Sequence, residues 1–379
     1  MRVAIVAESF LPQVNGVTNS VLRVAEHLRD GGHEAIIVAP DDHDVPSAYA
    51  GFDVVTVAAV SFPLYNDVKI GLTPSFVLER LLADWAPDVV HLAAPFAIGH
   101  NGLLAAARLS LPTVAIYQTD IPSYTSRYGF GFLEPMAWAK IRDMHNLATL
   151  TLAPSRYARD QLMAHGIPRV AVWGRGVDTA RFNPAKRDPR LHARWAPQGE
   201  TVVGYMGRLA PEKQVSDLTV LADLPGVRLV VVGDGPSRKA LTAQLPQARF
   251  TGRLEGEDLT RAIATMDVFV HPGELETFGQ AVQEALASGL PVVAPARGGP
   301  IDLVRPGRTG YLYPPGQLGQ LRRQVERLVA DPGRRRDYGR RARAFVTRRT
   351  WAHLCDQLLD HYRDAMHPWS EGAIEADPR

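Results

Sequence analysis

Short apolar runs separated by amphipathic stretches recur along the whole chain, and the series is run through twice. In the first half Val3–Ala7, Ala35–Ala39, Asp53–Val57, Val89–Leu92 and Thr113–Tyr117 are brief and rich in β-branched residues, which predicts strands. Between them Ser20–Arg29, Pro74–Trp85 and Gly102–Leu109 carry apolar residues at helical spacing, which predicts helices. Strand and helix in alternation predict a doubly wound parallel sheet. After Trp173 the pattern restarts: Val202–Met206, Arg228–Val232, Ala248–Thr251, Val268–His271 and Pro291–Ala294 alternate with Val215–Leu221, Lys239–Gln244, Leu259–Ala264 and Gln280–Ala287. Two such series, joined near Trp173–Pro184, predict two Rossmann-like α/β domains facing across a cleft. Ligands in such sheets sit beyond the carboxyl ends of the strands.

The stretch VFVHPGELETFGQAVQEALASGLPVVA, Val268 to Ala294, concentrates the chemistry. Pro272-Gly273 stops the strand, and helical spacing from Phe278 to Ala287 places Glu276 in a loop and Glu284 within a helix. Eight residues at about 1.5 Å rise put the two carboxylates on the order of 12 Å apart if the segment were all helix. A retaining glycosidase needs roughly 5 Å and an inverting one under about 10 Å, so the spacing argues against glycoside hydrolysis. Carboxylates held apart at a strand-to-helix turn suit gripping the hydroxyls of an extended polar ligand. The competing reading is an acid complementing a helix dipole plus a solvated helix acid.

Three strand-end turns suit phosphate. Gly16, in QVNGVTNS, follows the first strand and opens a helix, leaving backbone N–H groups to face an anion; a tight turn that simply needs glycine is the alternative. In GRLAPEKQ, Arg208 and Lys213 flank Pro211 just after a strand, and their charge is what a diphosphate leaving group requires. With only five lysines in the chain, Lys213 is a selective use of that residue. Gly298-Gly299 before Pro300 is the third turn. Gly233 and Gly235 in VVVGDGPSRKAL lack the third glycine of a dinucleotide fingerprint, Arg238 standing in its place, and read as a strand-end turn lining the cleft. Tyr117-Gln118-Thr119-Asp120 ends the fifth strand facing the cleft, where Asp120 either holds a substrate hydroxyl or caps the next turn. His271 either lines the site or sits hydrogen-bonded in the core.

Composition narrows the setting. The chain has 379 residues, about two domains' worth, with 42 basic against 40 acidic residues, a balance that argues against a general nucleic-acid binder. The basic run Arg334 to Arg349 reads as a solvated helix face in preference to a site for anionic head groups. A lone cysteine, Cys355, excludes an intramolecular disulfide and a thiolate metal cluster and fits a reducing cytosol. MRVAIVAESF reads as a first strand, not a signal peptide. No uncharged stretch approaches the length of a membrane span. Asp41-Asp42-His43-Asp44 follows Pro40 as a solvated loop, and no Asp-x-Asp cluster stands at a strand end, so neither metal nor cofactor is expected. Ile121 to Trp138 mixes Tyr124, Tyr128, Phe130, Phe132 and Trp138 with glycines, the composition of a loop that dips into a bilayer surface or of an interdomain packing segment.

Glu276 and Glu284 at E-x7-E spacing, with Phe278-Gly279 after the first, resemble the retaining glycosyltransferases of family four. AIVAESFLPQVNGVTNSV, GVDTARFNP, GRLAPEKQ, GGPIDLV and GRTGYLYPP occur in that family's order, so the resemblance covers nearly the whole chain. It is nearest to the GDP-mannose-dependent α-mannosyltransferases of bacterial mannolipid and lipoglycan synthesis. The resemblance implies the GT-B fold: an acceptor domain, residues 1–173, completed by a last helix at about 351–379, and a nucleotide-sugar domain, residues 174–350. It also implies that Arg208 and Lys213 neutralise the donor diphosphate, that Glu276 holds sugar hydroxyls and Glu284 the ribose, and that the base lies near Gly252-Arg253-Leu254. Gln118 stands where many members have histidine, which removes a histidine base and is compatible with the donor β-phosphate accepting the acceptor's proton. The partners expected are a nucleotide-sugar donor and a lipid or glycan acceptor, at the inner face of the plasma membrane or free in the cytosol. A UDP-sugar-dependent transferase and a nucleotide-sugar epimerase remain alternatives.

Overall fold

The protein is described by a computed structural model that covers residues 1–13, 15–62, 65–71, 73–120, 122, 129 and 131–367. In the first half the strands are β1 (Arg2–Val6), β2 (Glu34–Pro40), β3 (Ala48–Tyr49), β4 (Phe52–Val57), β5 (Ala59–Phe62), β6 (Tyr65–Gly71), β7 (Val89–Leu92), β8 (Thr113–Ile116), β9 (Leu150–Ala153) and β10 (Val170–Val172). In the second they are β11 (Thr201–Met206), β12 (Val227–Val232), β13 (Arg249–Gly252), β14 (Val268–Val270), β15 (Val292–Pro295) and β16 (Gly310–Tyr313). The first sheet runs β10-β9-β8-β7-β1-β2-β4-β3 and the second β13-β12-β11-β14-β15-β16, with β5 and β6 as a separate pair. Apart from the short β3, which is antiparallel to β4, the neighbours in both sheets are parallel.

The order defines where a ligand sits. Chain direction across the sheet reverses between β1 and β7 in the first sheet and between β11 and β14 in the second, and crevices open beyond the carboxyl ends of strands at such switch points. The segments leaving those four strands carry Glu8 and Gly16, Ala93, Arg208, and His271 with Glu276.

Each sheet is buried on both faces. Val3, Ile5, Ile37 and Val114 point into one core of the first sheet and Ala4, Val6, Val38 and Leu92 into the other. That two-sided burial is why these strands read as continuous apolar runs. The first core is closed by residues far away in sequence: Leu354, Cys355, Leu358, Leu359, Tyr362 and Ala365, from the last helix Trp351–Met366, pack in it. Two buried hydrogen bonds fix that helix, Tyr362 with His91 Nδ1 at 2.7 Å and Trp173 Nε1 donating to the Leu354 carbonyl at 2.7 Å. Buried Cys355 has its thiol pushed up to about 12, chiefly by desolvation.

Three departures from the sequence reading are instructive. Helix α1 (Gly16–Asp30) starts at Gly16, before the apolar periodicity begins at Ser20, because the Asn15 side chain accepts the Val17 and Thr18 N–H groups at 2.9 and 3.0 Å; the cap, not the pattern, sets the start. Val215–Leu221 coils as a 3-10 helix. The basic run is not uniformly solvated: Arg343 donates to the Phe182, Ala287 and Thr179 carbonyls and Arg335 to those of Leu328 and Val329, so these arginines tie helix Pro332–Val346 to its neighbours.

Candidate active site

On the first-domain side the site is built around the turn into α1. A Cβ added at Gly16 would meet the Arg175 guanidinium, so the bare glycine lets that guanidinium approach the start of α1. Asn15 already takes the Val17 and Thr18 N–H groups, which leaves fewer first-turn donors for an anion than the sequence suggests. Gln118, expected to face the donor, is occupied: its Nε2 donates to the Ala93 carbonyl at 2.5 Å, and its Oε1 accepts from Arg175. Asp120 is buried, and its Oδ1 accepts from the Tyr117 hydroxyl at 3.3 Å. Glu8 at the end of β1 accepts the Phe96 and Gly99 N–H groups at 2.9 and 2.8 Å, yet burial pushes its carboxyl up to about 7.

On the second-domain side Gly233 and Gly235 have a packing reason, because a Cβ on either would run into the Gly207 and Leu209 carbonyls respectively. Their bareness seats the loop that carries Arg208, and Tyr205 donates to the Arg208 carbonyl at 3.0 Å. Lys213 ends the 3-10 turn Pro211–Lys213 and places Nζ 2.5 Å from Glu276 Oε1, while His271 Nε2 lies 3.2 Å from the same oxygen. Burial would push the Glu276 carboxyl up, but Lys213 and then His271 outweigh it and hold the group well below the usual carboxylate range. The sequence assigns Lys213 to diphosphate and Glu276 to sugar as separate tasks; in the structure they form one ion pair. His271 is only 2 % exposed, with Nε2 near Glu276, and its Nδ1 has no hydrogen-bond partner among the described residues.

The loop bearing Glu276 is clamped from three directions. Thr277 joins it to the first domain, its carbonyl accepting from Ser155 Oγ at 2.7 Å and its hydroxyl donating to the Gln118 carbonyl at 3.0 Å. From the other side the Gly299 N–H donates to the Glu276 carbonyl at 2.7 Å. The Gly298-Gly299 pair is therefore not a free phosphate turn as expected: Pro300–Leu303 is a single turn of helix, and a Cβ on Gly298 or Gly299 would strike the Glu276 or Phe278 backbone. Gly298 also sits at φ +70°. Gly299→Ala is accordingly expected to lower the thermal midpoint by several degrees, since backbone cannot yield as a side chain can; an unchanged calorimetric midpoint would show that the loop relaxes freely.

Gly279 caps helix Gln280–Ala287 at φ +93°, and Phe278 beside it is buried in a core of the second domain with Val202, Phe269 and Val282. Glu284 lies inside this helix with Gln280 Nε2 3.3 Å from its Oε1, and burial pushes its carboxyl up to about 7. Arg253, expected near the base, is exposed and paired with Glu255 at 2.7 Å, while Leu254 packs against that same core. Of the aromatic loop, residues 121, 123–128 and 130 lie outside the described residues, Tyr124, Tyr128 and Phe130 among them. Phe132 is 76 % exposed, whereas Trp138 is buried and stacked on His165 with ring centroids 3.6 Å apart, which removes Trp138 from any bilayer contact. Among the described residues no group of three or more His, Cys, Asp or Glu side chains is arranged to hold a metal ion, and no helix is long and apolar enough to cross a membrane.

Arg175 is the functional candidate that the sequence reading missed. It stands in WGRGVDTARF between the two domains, its carbonyl accepting from Gln283 Nε2 of the second domain at 2.9 Å. The signal available was an arginine between two glycines immediately before GVDTARFNP.

Two parallel-sheet domains with cationic and acidic strand ends across one crevice define a GT-B glycosyltransferase. The model of Glycosyltransferase Family 4 matches residues 14–181 and that of glycosyl transferases group 1 matches residues 189–345; the chain belongs to this glycosyltransferase family. It is 51 % identical to a GDP-mannose-dependent alpha-mannosyltransferase of Mycobacterium tuberculosis over 96 % of both chains. It is 34 % identical to the sulfoquinovosyl transferase SQD2 of Arabidopsis thaliana over 98 % of this chain and 76 % of that one. The crystal structure of Anabaena HepE in complex with UDP superposes with a TM-score of 0.76 at 20 % identity, covering 96 % of this chain and all of that one, a likeness of fold.

Proposed function

We propose that the protein is a retaining glycosyltransferase that moves mannose from GDP-mannose to a lipid-linked or glycan acceptor. The observation that carries the reading is the cluster of Lys213, Glu276 and His271 at the switch point of the second sheet, facing the Gly16 turn at the switch point of the first. Its likeness in sequence to GDP-mannose-dependent mannosyltransferases supports the donor assignment. The acceptor domain comprises residues 1–173 with the last helix, and the nucleotide-sugar domain residues 174–350. The exposed Phe132 beside the aromatic loop supports peripheral contact of the first domain with a membrane surface.

In the reaction the bond from the mannose anomeric carbon to the β-phosphate oxygen breaks with its electron pair going to GDP. The acceptor hydroxyl oxygen bonds to that carbon on the same face, and its proton passes to a β-phosphate oxygen. Lys213 and Arg208 stabilise the charge that builds on the leaving diphosphate, and Glu276 orients the sugar. Donor binding therefore has to loosen the Lys213–Glu276 pair, so that phosphate replaces carboxylate at the ammonium and a sugar hydroxyl replaces ammonium at the carboxylate.

The test is a panel of GDP-mannose, UDP-glucose, UDP-N-acetylglucosamine and UDP-sulfoquinovose in thermal shift, followed by turnover in EDTA. GDP-mannose is expected to give the largest shift and to be consumed with release of GDP when acceptor is present. A larger shift with any UDP-sugar overturns the donor assignment. Conversion of donor without acceptor identifies an epimerase, and loss of all turnover in chelator overturns the metal-free mechanism.

A further inference from the structure

We propose that Arg175 is a third cation of the donor site, binding the β-phosphate of the nucleotide sugar from the first-domain side while Lys213 binds it from the second. This rests on the nucleotide-diphosphate reading above. Arg175 belongs to the connection between the sheets and is anchored at its carbonyl by Gln283, so its position is set by both domains. Its guanidinium lies against Gly16 at the start of α1, where the positive end of the helix dipole already favours an anion. Among the described residues its hydrogen-bond partner is Gln118, which leaves further N–H groups of the planar fork for an oxyanion.

Gln118 explains how the guanidinium stays available. Its amide nitrogen is committed to the Ala93 carbonyl at 2.5 Å, so its oxygen is turned toward Arg175 and orients the fork without neutralising it. A carboxylate at 118 would cancel the charge. Glu276 is the acid that Arg175 senses, but that acid is shared with Lys213 and His271. Lys213 and Arg175 thus stand around the one carboxylate of Glu276, with Arg208 on the loop after β11, a cationic surplus suited to a diphosphate. Burial pulls the Arg175 guanidinium down to about 10 and Glu276 acts the other way, so it remains charged at neutral pH. Arg175 takes up no proton and forms no bond; it stabilises the charge left on the β-phosphate oxygen when the sugar departs. Gln118 is a positioning residue that acts through Arg175.

The discriminating measurement is calorimetry with GDP and with GMP, which lacks the β-phosphate, on Arg175→Met, Arg175→Lys and Gln118→Glu. Arg175→Met is expected to weaken GDP about tenfold, the scale of a charge-assisted hydrogen bond, to leave GMP within about twofold, and to cut turnover roughly thirtyfold. Arg175→Lys should recover part of the GDP affinity, and Gln118→Glu should weaken GDP but not GMP. Parallel weakening of GDP and GMP would reveal a merely structural arginine and overturn the proposal, as would turnover of Arg175→Met within about threefold of wild type. If the Arg175 variants do not fold, Gln118→Glu decides alone, and its full retention of GDP affinity overturns the proposal. Wild-type protein that prefers UDP would sink the donor assignment instead, and UDP against UMP then carries the same comparison.

Discussion

Lys213→Ala is expected to lower turnover on the order of a hundredfold, about 2.7 kcal/mol of transition-state stabilisation at 1.36 kcal/mol per tenfold. The structure adds a second consequence. Glu276 is held well below the usual carboxylate range because Lys213, with His271, outweighs a large burial effect in the opposite direction. Removing the ammonium leaves the burial effect in place, so the carboxyl rises. The sign follows: in wild-type protein Glu276 stays ionised throughout the working pH range, whereas in Lys213→Ala the carboxylate is protonated as pH falls through its raised value. At saturating donor the residual activity of the variant should therefore decline toward acid pH more steeply than that of the wild type, in which Glu276 stays ionised. Kinetics from pH 5 to 9 on both proteins check this. Adding Glu276→Gln to Lys213→Ala should cost much less than it costs alone, because two groups that act as a pair are not additive. Activity of Lys213→Ala within about threefold of wild type would remove the lysine from the mechanism.

The sheets were legible because parallel strands buried on both faces declare themselves as uninterrupted apolar runs: Val89–Leu92 has the same limits in sequence and in structure, as does the helix Gln280–Ala287 by its helical spacing. The pattern does not set off the strands Leu150–Ala153, Val170–Val172 and Gly310–Tyr313. Each is only three or four residues long, with Thr151 or Gly310 diluting the apolar signal, and each is defined by its neighbour in the sheet. The last helix follows from the family resemblance, while its packing beside His91 and Trp173 rests on hydrogen bonds between residues 271 and 181 positions apart.

Within the site, residue types were legible and pairings were not. Glu276, Lys213, Arg208 and Gly16 stood out by motif, yet nothing in the sequence shows that Lys213 and Glu276 share a bond or that the Gly16 turn faces Arg175. The glycines illustrate the limit. Gly233, Gly235, Gly298 and Gly299 are all strand-end glycines, which sequence reads as phosphate turns or tight turns. The structure gives each a specific backbone that a Cβ would strike, and in every case that backbone belongs to a loop carrying a site residue or its neighbour. These glycines bring together the loops that carry the site residues.

The two carboxylates should fail differently, and the difference should depend on pH. Glu276→Gln removes the acid paired with Lys213, so GDP no longer has to compete for the ammonium. Its GDP affinity should stay within about threefold of wild type or increase, while turnover of GDP-mannose falls on the order of a hundredfold because the sugar loses its charged acceptor. Glu284→Gln should instead weaken GDP itself through the ribose. Because burial pushes the Glu284 carboxyl up to about 7, the charge that strengthens those hydrogen bonds is present above that value and lost below it. Wild-type GDP affinity should therefore rise between pH 6 and pH 8.5. Glu284→Gln should abolish that rise, leaving GDP about tenfold weaker than wild type at pH 8.5 and little changed at pH 6. Calorimetry with GDP at the two pH values on both variants decides the matter. Equal weakening by the two substitutions at both pH values would show that the division between sugar and ribose is wrong, whatever the fate of the mannosyl donor.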